Sequence, residues 1–250
     1  MIKHMLKICT GCLFLATSLP MSGDAAPAKP QTYQLAAVMN PEDILDLPKD
    51  HWSYPAVKVL VADLKIMPLK TANQFKGNDL LTRYELAEIF YRAVKKLEAA
   101  SGKDLRKVGG PPPTQFVDVA PAHKEAVDAI VNDYQIMLPM PAKKFWGEDP
   151  LNRYEIAYEL YNYFTLLESL GTGTAPTRRN RASQIKDLPS DHWATKPVTE
   201  MVDKYQVMDG YPDGSFRGGK RLTRYEGAAI LRAFILYVNT HLIKIEPPAS

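Results

Sequence analysis

Cysteine is scarce in this chain. The two residues, Cys9 and Cys12, both fall within the first dozen positions, so no disulfide framework can brace anything downstream. Long apolar runs are also missing. Ile8 to Leu19 forms a short apolar stretch, against the roughly 20 residues a helix needs to cross a bilayer, and no other segment approaches that length. Neither sign of charge dominates. A net charge of +3 is too weak an electrostatic footprint for a nucleic-acid partner. His51 and His192 have no second His or Cys at ligand spacing, so no metal site is expected. No nucleophile elbow or unassigned carboxylate pair stands out either, which argues against an enzyme and against any cofactor.

What is present begins with an export signal. Lys3 and Lys7 precede the apolar stretch, and Gly23-Asp24-Ala25 places small residues at the −3 and −1 positions of a cut. Residues 1–25 are read as a signal peptide and 26–44 as a Pro/Ala-rich spacer, so the protein is expected to be exported to the cell envelope. Gly11 before Cys12 leaves a lipid-modified N-terminus as an alternative.

A tetrapeptide then recurs three times: Thr82-Arg83-Tyr84-Glu85, Asn152-Arg153-Tyr154-Glu155 and Thr223-Arg224-Tyr225-Glu226. In each copy a phenylalanine (Phe75, Phe145 or Phe216) lies eight residues before the arginine. Such periodicity marks an internal repeat. The segments are 45–98, 115–168 and 184–238, separated by linkers at 99–114 and 169–183 and followed by a tail at 239–250. Each is small for an independent core, and packing against one another solves that problem. The linkers contain Gly109-Gly110-Pro111-Pro112-Pro113 and the basic Arg178, Arg179 and Arg181, read as solvated.

Two amphipathic helices are predicted per segment. The first carries Val57, Leu60, Val61 and Leu64, matched by Val127, Ile130, Val131 and Tyr134, then by Val198, Met201, Val202 and Tyr205. This i, i+3, i+4, i+7 spacing gives one buried helical face. The second helix follows the arginine, with Leu86, Phe90 and Val94 matched by Ile156, Leu160 and Phe164 and by Gly227, Leu231 and Ile235. The expected fold is mainly α: three helix-loop-helix repeats packed as a pseudo-threefold assembly around a central three-helix bundle. The loop Asp209-Gly210-Tyr211-Pro212-Asp213-Gly214-Ser215-Phe216 is a strong turn signal. Its counterparts lack the glycines and are expected to differ in shape.

Thr-x-x-Glu before an apolar helix is a capping box. Thr82 with Glu85, Asn152 with Glu155 and Thr223 with Glu226 are therefore structural caps, each worth about 1 kcal/mol. Arginine at the first helical position is unfavourable beside the positive end of the helix dipole. Its threefold recurrence implies an anion, either a ligand carboxylate or phosphate or an internal partner such as Asp46, Asp118 or Asp187. The segments open on Asp46-Leu47-Pro48-Lys49-Asp50-His51-Trp52 and Asp187-Leu188-Pro189-Ser190-Asp191-His192-Trp193. Trp52 and Trp193 suit either a core anchor or a face for stacking sugar. The middle segment begins Phe116-Val117-Asp118 and has no tryptophan at that point.

These combined motifs resemble the S-layer homology (SLH) domain of bacterial envelope proteins. The third segment is near a full consensus, the first matches at both ends, and the second matches through Phe116-x-Asp118 and its tetrapeptide. The resemblance implies three SLH repeats with ligand grooves between neighbours. It also implies non-covalent, non-catalytic binding to a wall glycan, either peptidoglycan or an anionic secondary wall polysaccharide. On that basis Arg83, Arg153, Arg224, Trp52, Trp193, Asp46, Asp187 and Gly210 become candidate glycan-binding residues. Departures in the first two segments imply that not all grooves bind, with those involving the third and first favoured. Tyr within the tetrapeptide is similar to cyanobacterial-type versions and points toward peptidoglycan. A membrane-to-wall tether and a wall hydrolase are the rival readings, and a protein partner on an outer surface stays open.

Overall fold

Three leucines tie the molecule together. Leu81 N–H donates to the Leu222 carbonyl, Leu222 N–H to that of Leu151, and Leu151 N–H to that of Leu81, each at 2.9 Å. All three side chains are buried, and the ring joins the three repeated segments through the residue before each helix cap. The computed structural model describes residues 40–170 and 176–243. The export signal, Cys9, Cys12, most of the spacer, part of the second linker and the end of the tail lie outside the described residues.

The fold is mainly helical. The short helices are α1 (Tyr54–Val57), α3 (Lys124–Asp128) and α5 (Thr195–Thr199), and the long ones are α2 (Arg83–Ser101), α4 (Arg153–Leu167) and α6 (Arg224–His241). Among the described residues extended backbone appears only as isolated bridges, three of which join one segment to another: Leu80 with Thr223, Thr82 with Pro150, and Asn152 with Arg221. No described helix is long and apolar enough to cross a membrane.

Each short helix loosens into a π-helical turn, at Lys58–Asp63, Ala129–Asp133 and Glu200–Lys204. Leu64, Tyr134 and Tyr205 donate their N–H groups five residues back, to Val59, Ala129 and Glu200. Apolar spacing over seven residues cannot separate this wider turn from an α-helix, because either buries the same side chains. The next residue, Lys65, Gln135 or Gln206, takes a left-handed conformation (φ 53°, 52° and 56°) that turns the chain out of the helix.

Both apolar stripes are buried in all three segments, but partners are exchanged. α2 packs on α3, α4 on α5, and α6 on α1, so each long helix covers the short helix of the next segment and the last closes on the first. The long helices meet through Tyr163, whose ring centroid lies 5.0 Å from that of Phe90 and 4.9 Å from that of Phe234. The first linker is bonded to the fold: Lys107 N–H donates to the Asp133 carbonyl and Thr114 N–H to Asn132 Oδ1.

Candidate functional site

The corner that opens each long helix is held twice over. Within a segment the cap closes. Glu85 N–H donates to Thr82 Oγ1 (3.3 Å) and Thr82 N–H to Glu85 Oε2 (3.1 Å); Asn152 with Glu155 and Thr223 with Glu226 repeat the exchange. The next segment takes the remaining amides. Arg83 N–H donates to Asp149 O and Tyr84 N–H to Gly147 O; Arg153 and Tyr154 donate to Lys220 and Gly218, Arg224 and Tyr225 to Asp79 and Gly77. The first three amides of each helix are therefore engaged, and the helix ends offer no free N–H cradle for an anion.

The arginine side chains also reach into the next segment. Arg83 donates Nε to Phe145 O (2.8 Å) and Nη2 to Leu138 O (3.0 Å). Arg153 donates to Phe216 O and Asp209 O, both at 2.8 Å, and Arg224 to Phe75 O (2.9 Å) and Pro68 O (2.7 Å). Open guanidiniums were expected at all three corners, and two are enclosed. Arg224 is 0% exposed and its Nη1 donates to Glu85, which also pairs with Lys70 at 2.8 Å. Arg83 is 2% exposed, with Nη1 3.8 Å from Glu159. Only Arg153 is half-buried, with no carboxylate in ion-pair reach among the described residues. Burial holds the Arg83 and Arg153 guanidiniums below their ordinary pKa.

Glu159 is buried on α4, where α2 and α6 carry Ile89 and Ile230. Burial pushes its pKa up to about 8, with Arg83 opposing the shift and Glu155 adding to it. Its Oε2 has no hydrogen-bond partner. A charged residue inside an apolar stripe was the visible signal, and the sequence reading passed over it.

Asp46, Asp118 and Asp187 are not the arginines' partners. Each carboxylate clasps two consecutive amides: Phe75 and Lys76, Phe145 and Trp146, or Phe216 and Arg217, at 2.6–2.9 Å. Their own carbonyls accept the hydroxyls of Tyr225, Tyr84 and Tyr154. Those rings lie flat on Gly77, Gly147 and Gly218, where an added Cβ would come within about 2.1 Å of a ring carbon. Asp46 and Asp187, expected on a glycan, thus brace the loop with both carboxylate oxygens.

His51, His123 and His192 each stand five residues after that aspartate and pack on Tyr225, Tyr84 and Tyr154, with centroids 4.3, 4.0 and 4.5 Å apart. Neither this spacing nor that of the glycines was used in reading the sequence, although both recur in it. No group of three or more His, Cys, Asp or Glu among the described residues is arranged to hold a metal ion.

Trp52 and Trp193 are not core anchors. They are 61% and 56% exposed and stand edge-on to Tyr225 and Tyr154 at 6.2 and 6.1 Å. The middle segment has Lys124 at this position. Trp146, following Phe145, is also exposed.

The loops are more alike than their compositions predict. Lys70, Met140 and Tyr211, each five residues before the phenylalanine, all donate to the carbonyl four residues on. Gly214 in the third loop is left-handed (φ 82°), and Lys143 at the same place in the second adopts φ 57°. Beside the third loop lies a cleft of about 390 Å³ lined by Arg181, Gln184, Ile185, Asp209, Gly210, Tyr211, Pro212 and Gly214. Around the Tyr211 ring stand Arg153, Arg217 and Lys220, their charged groups 5.0, 4.3 and 5.8 Å from its centroid. Tyr211, Arg181, Arg217 and Lys220 were not candidates; only the fold brings them together.

The family model of the S-layer homology domain matches residues 44–87 and 184–226. Two of the three segments thus match the SLH model. Curated relatives share the likeness. The outer membrane protein SlpA of Deinococcus radiodurans is 40% identical over 57 residues, 23% of this chain and 5% of its own length. Its namesake in Thermus thermophilus is 35% identical over 60 residues, 24% of this chain and 6% of its own. The cellulosome-anchoring protein of Acetivibrio thermocellus is 27% identical over 158 residues, 63% of this chain and 32% of its own. The chain spans less than a third of the length of these relatives. The middle segment lies outside both SLH matches but shares their cap, aspartate clasp and tyrosine contact.

Proposed function

We propose that this chain is an exported, non-catalytic adhesive of the cell envelope that holds a wall glycan, either peptidoglycan or an anionic wall polysaccharide, through the surface its SLH segments share. The observation that carries this reading is the exposure of Trp52 and Trp193 at equivalent corners. Indoles left in water at two matching places suit the apolar faces of sugar rings. The SLH matches and the anchoring and outer-membrane names of the relatives support an envelope location. The leucine ring and the exchanged helix partners support a third SLH repeat at 115–168 and the pseudo-threefold assembly. Glu85, Glu155 and Glu226 are occupied as caps, which leaves them poorly placed as acids for hydrolysis.

Sedimentation with purified sacculi tests the proposal. The protein should pellet with the wall and leave its turbidity unchanged. Repeating the assay after acid stripping of secondary polymers separates peptidoglycan from polysaccharide as the target. A protein that stays in the supernatant with both preparations is not a wall adhesive.

A further inference from the structure

The middle segment's loop lacks the polar chemistry of its two counterparts. It runs Leu138-Pro139-Met140-Pro141-Ala142-Lys143-Lys144-Phe145-Trp146, without one side-chain oxygen. At these positions the first loop carries Thr71, Asn73 and Gln74, and the third Asp209, Asp213 and Ser215. Trp146 stands where they have Lys76 and Arg217, and Val117 where they have Leu45 and Lys186. Leu138, Val117 and Trp146 are exposed, as are Pro139, Pro141 and Ala142. Val117 N–H donates to the Lys143 carbonyl and Trp146 N–H to Asp118, which sets Val117 against the loop.

The tip is a preformed finger. Met140 N–H donates to the Lys144 carbonyl (2.8 Å) and Lys144 N–H to that of Pro141 (3.4 Å). Between them Ala142 and Lys143 both take left-handed backbone (φ 59° and 57°). Lys143 and Lys144 are exposed, and among the described residues neither pairs with an acid. The cations of the other loops are neutralised: Lys70 meets Glu85, and Arg217 meets Asp213.

We propose that this loop docks on an anionic phospholipid bilayer, with Leu138, Pro139, Pro141 and Trp146 among the headgroups and Lys143 and Lys144 on the lipid phosphates. An indole beside aliphatic side chains suits the membrane–water boundary, and unpaired lysines add attraction to a negative surface. A sugar fits less well, because its hydroxyls need acceptors as well as donors and these side chains offer no oxygen. A protein partner fits less well too. A stable interface takes about 20–30 residues a side and keeps lysine from its centre, whereas this patch is one loop. The inference goes beyond wall adhesion and does not depend on it.

The test reads Trp146 fluorescence in the full chain carrying Trp52→Phe and Trp193→Phe. The probes are vesicles of equal parts phosphatidylglycerol and phosphatidylcholine, and vesicles of phosphatidylcholine only. Anionic vesicles should shift the emission to the blue, brominated lipid should quench it, and neutral vesicles should bind several-fold more weakly. Lys143→Glu with Lys144→Glu should weaken binding roughly ten-fold or more. Leu138→Asp, the residue of the third loop at that place, should weaken it several-fold. Melting temperatures should not change, because these side chains are exposed. Residues 1–25 are common to every variant, so they cannot produce the difference. An unshifted Trp146 with both vesicles, or indifference to the lysine variant, overturns the proposal. So does a shift caused by wall fragments but not by vesicles, or by raised protein concentration alone, which would assign the loop to glycan or to a second copy. Vesicles contain no wall and detergent-extracted sacculi no lipid, so this inference and the wall-adhesion reading fail separately.

Discussion

Glu159 lies 3.8 Å from the Arg83 guanidinium, inside a helix stripe where both counterparts are isoleucine. The pair links segment one to segment two and leaves Glu159 Oε2 buried without a partner. Its position makes this interface sensitive to pH. A carboxyl whose folded pKa is about 8, against an ordinary 4.5, favours folding most fully below 4.5, and that contribution fades as pH rises toward 8. Wild-type protein should lose stability on the order of a few kcal/mol between pH 5 and pH 8, while Glu159→Gln stays flat. Urea midpoints across that window check it, and parallel profiles for the two proteins would rule it out.

Arg224→Ala should damage the fold rather than adhesion alone. The side chain is enclosed and bonded to Phe75, Pro68 and Glu85, so its removal strands a buried acid and two carbonyls. A loss of about 3–5 kcal/mol is expected, read as a lower melting temperature. A variant that folds normally and only releases the wall would restore the ligand-facing role first read from the sequence.

Asp187→Ala should act similarly, through the loop. Two amides, of Phe216 and Arg217, lose their acceptor, at a cost of roughly 1–3 kcal/mol. Thermal melts of this variant and of Asp46→Ala should fall together, because the two clasps are equivalent.

Trp52→Ala and Trp193→Ala should leave stability nearly unchanged, because both rings are exposed. Retention on sacculi should fall several-fold for each, corresponding to ~1 kcal/mol per lost stacking face. Unchanged retention in the double variant would remove the tryptophans from the binding surface.

The helices and their caps were legible because they depend on neighbours in sequence. Thr82 and Glu85, three residues apart, meet wherever that helix starts, and an apolar stripe reports burial whatever lies against it. The arginines were only half legible. Their recurrence called for a negative partner, but Glu159 lies in a different segment from Arg83, and no local rule reveals that distance. The aspartates were misassigned for the same reason: Asp46 reaches the amides of Phe75 and Lys76, and the sequence shows the carboxylate without showing those amides.

Taken alone, the order of residues determined the repeat, the six helices, the capping boxes and the presence of three arginines at three matching corners. These are short-range matters of spacing, propensity and hydrogen-bond chemistry. Tertiary structure decided which helix covers which, because each segment buries its stripe on its neighbour and closes the cycle through Leu81, Leu151 and Leu222. It also decided that Arg83 and Arg224 lie enclosed while Arg153 stays half open. Whether a charge faces water or a carboxylate depends on what another part of the chain brings to it.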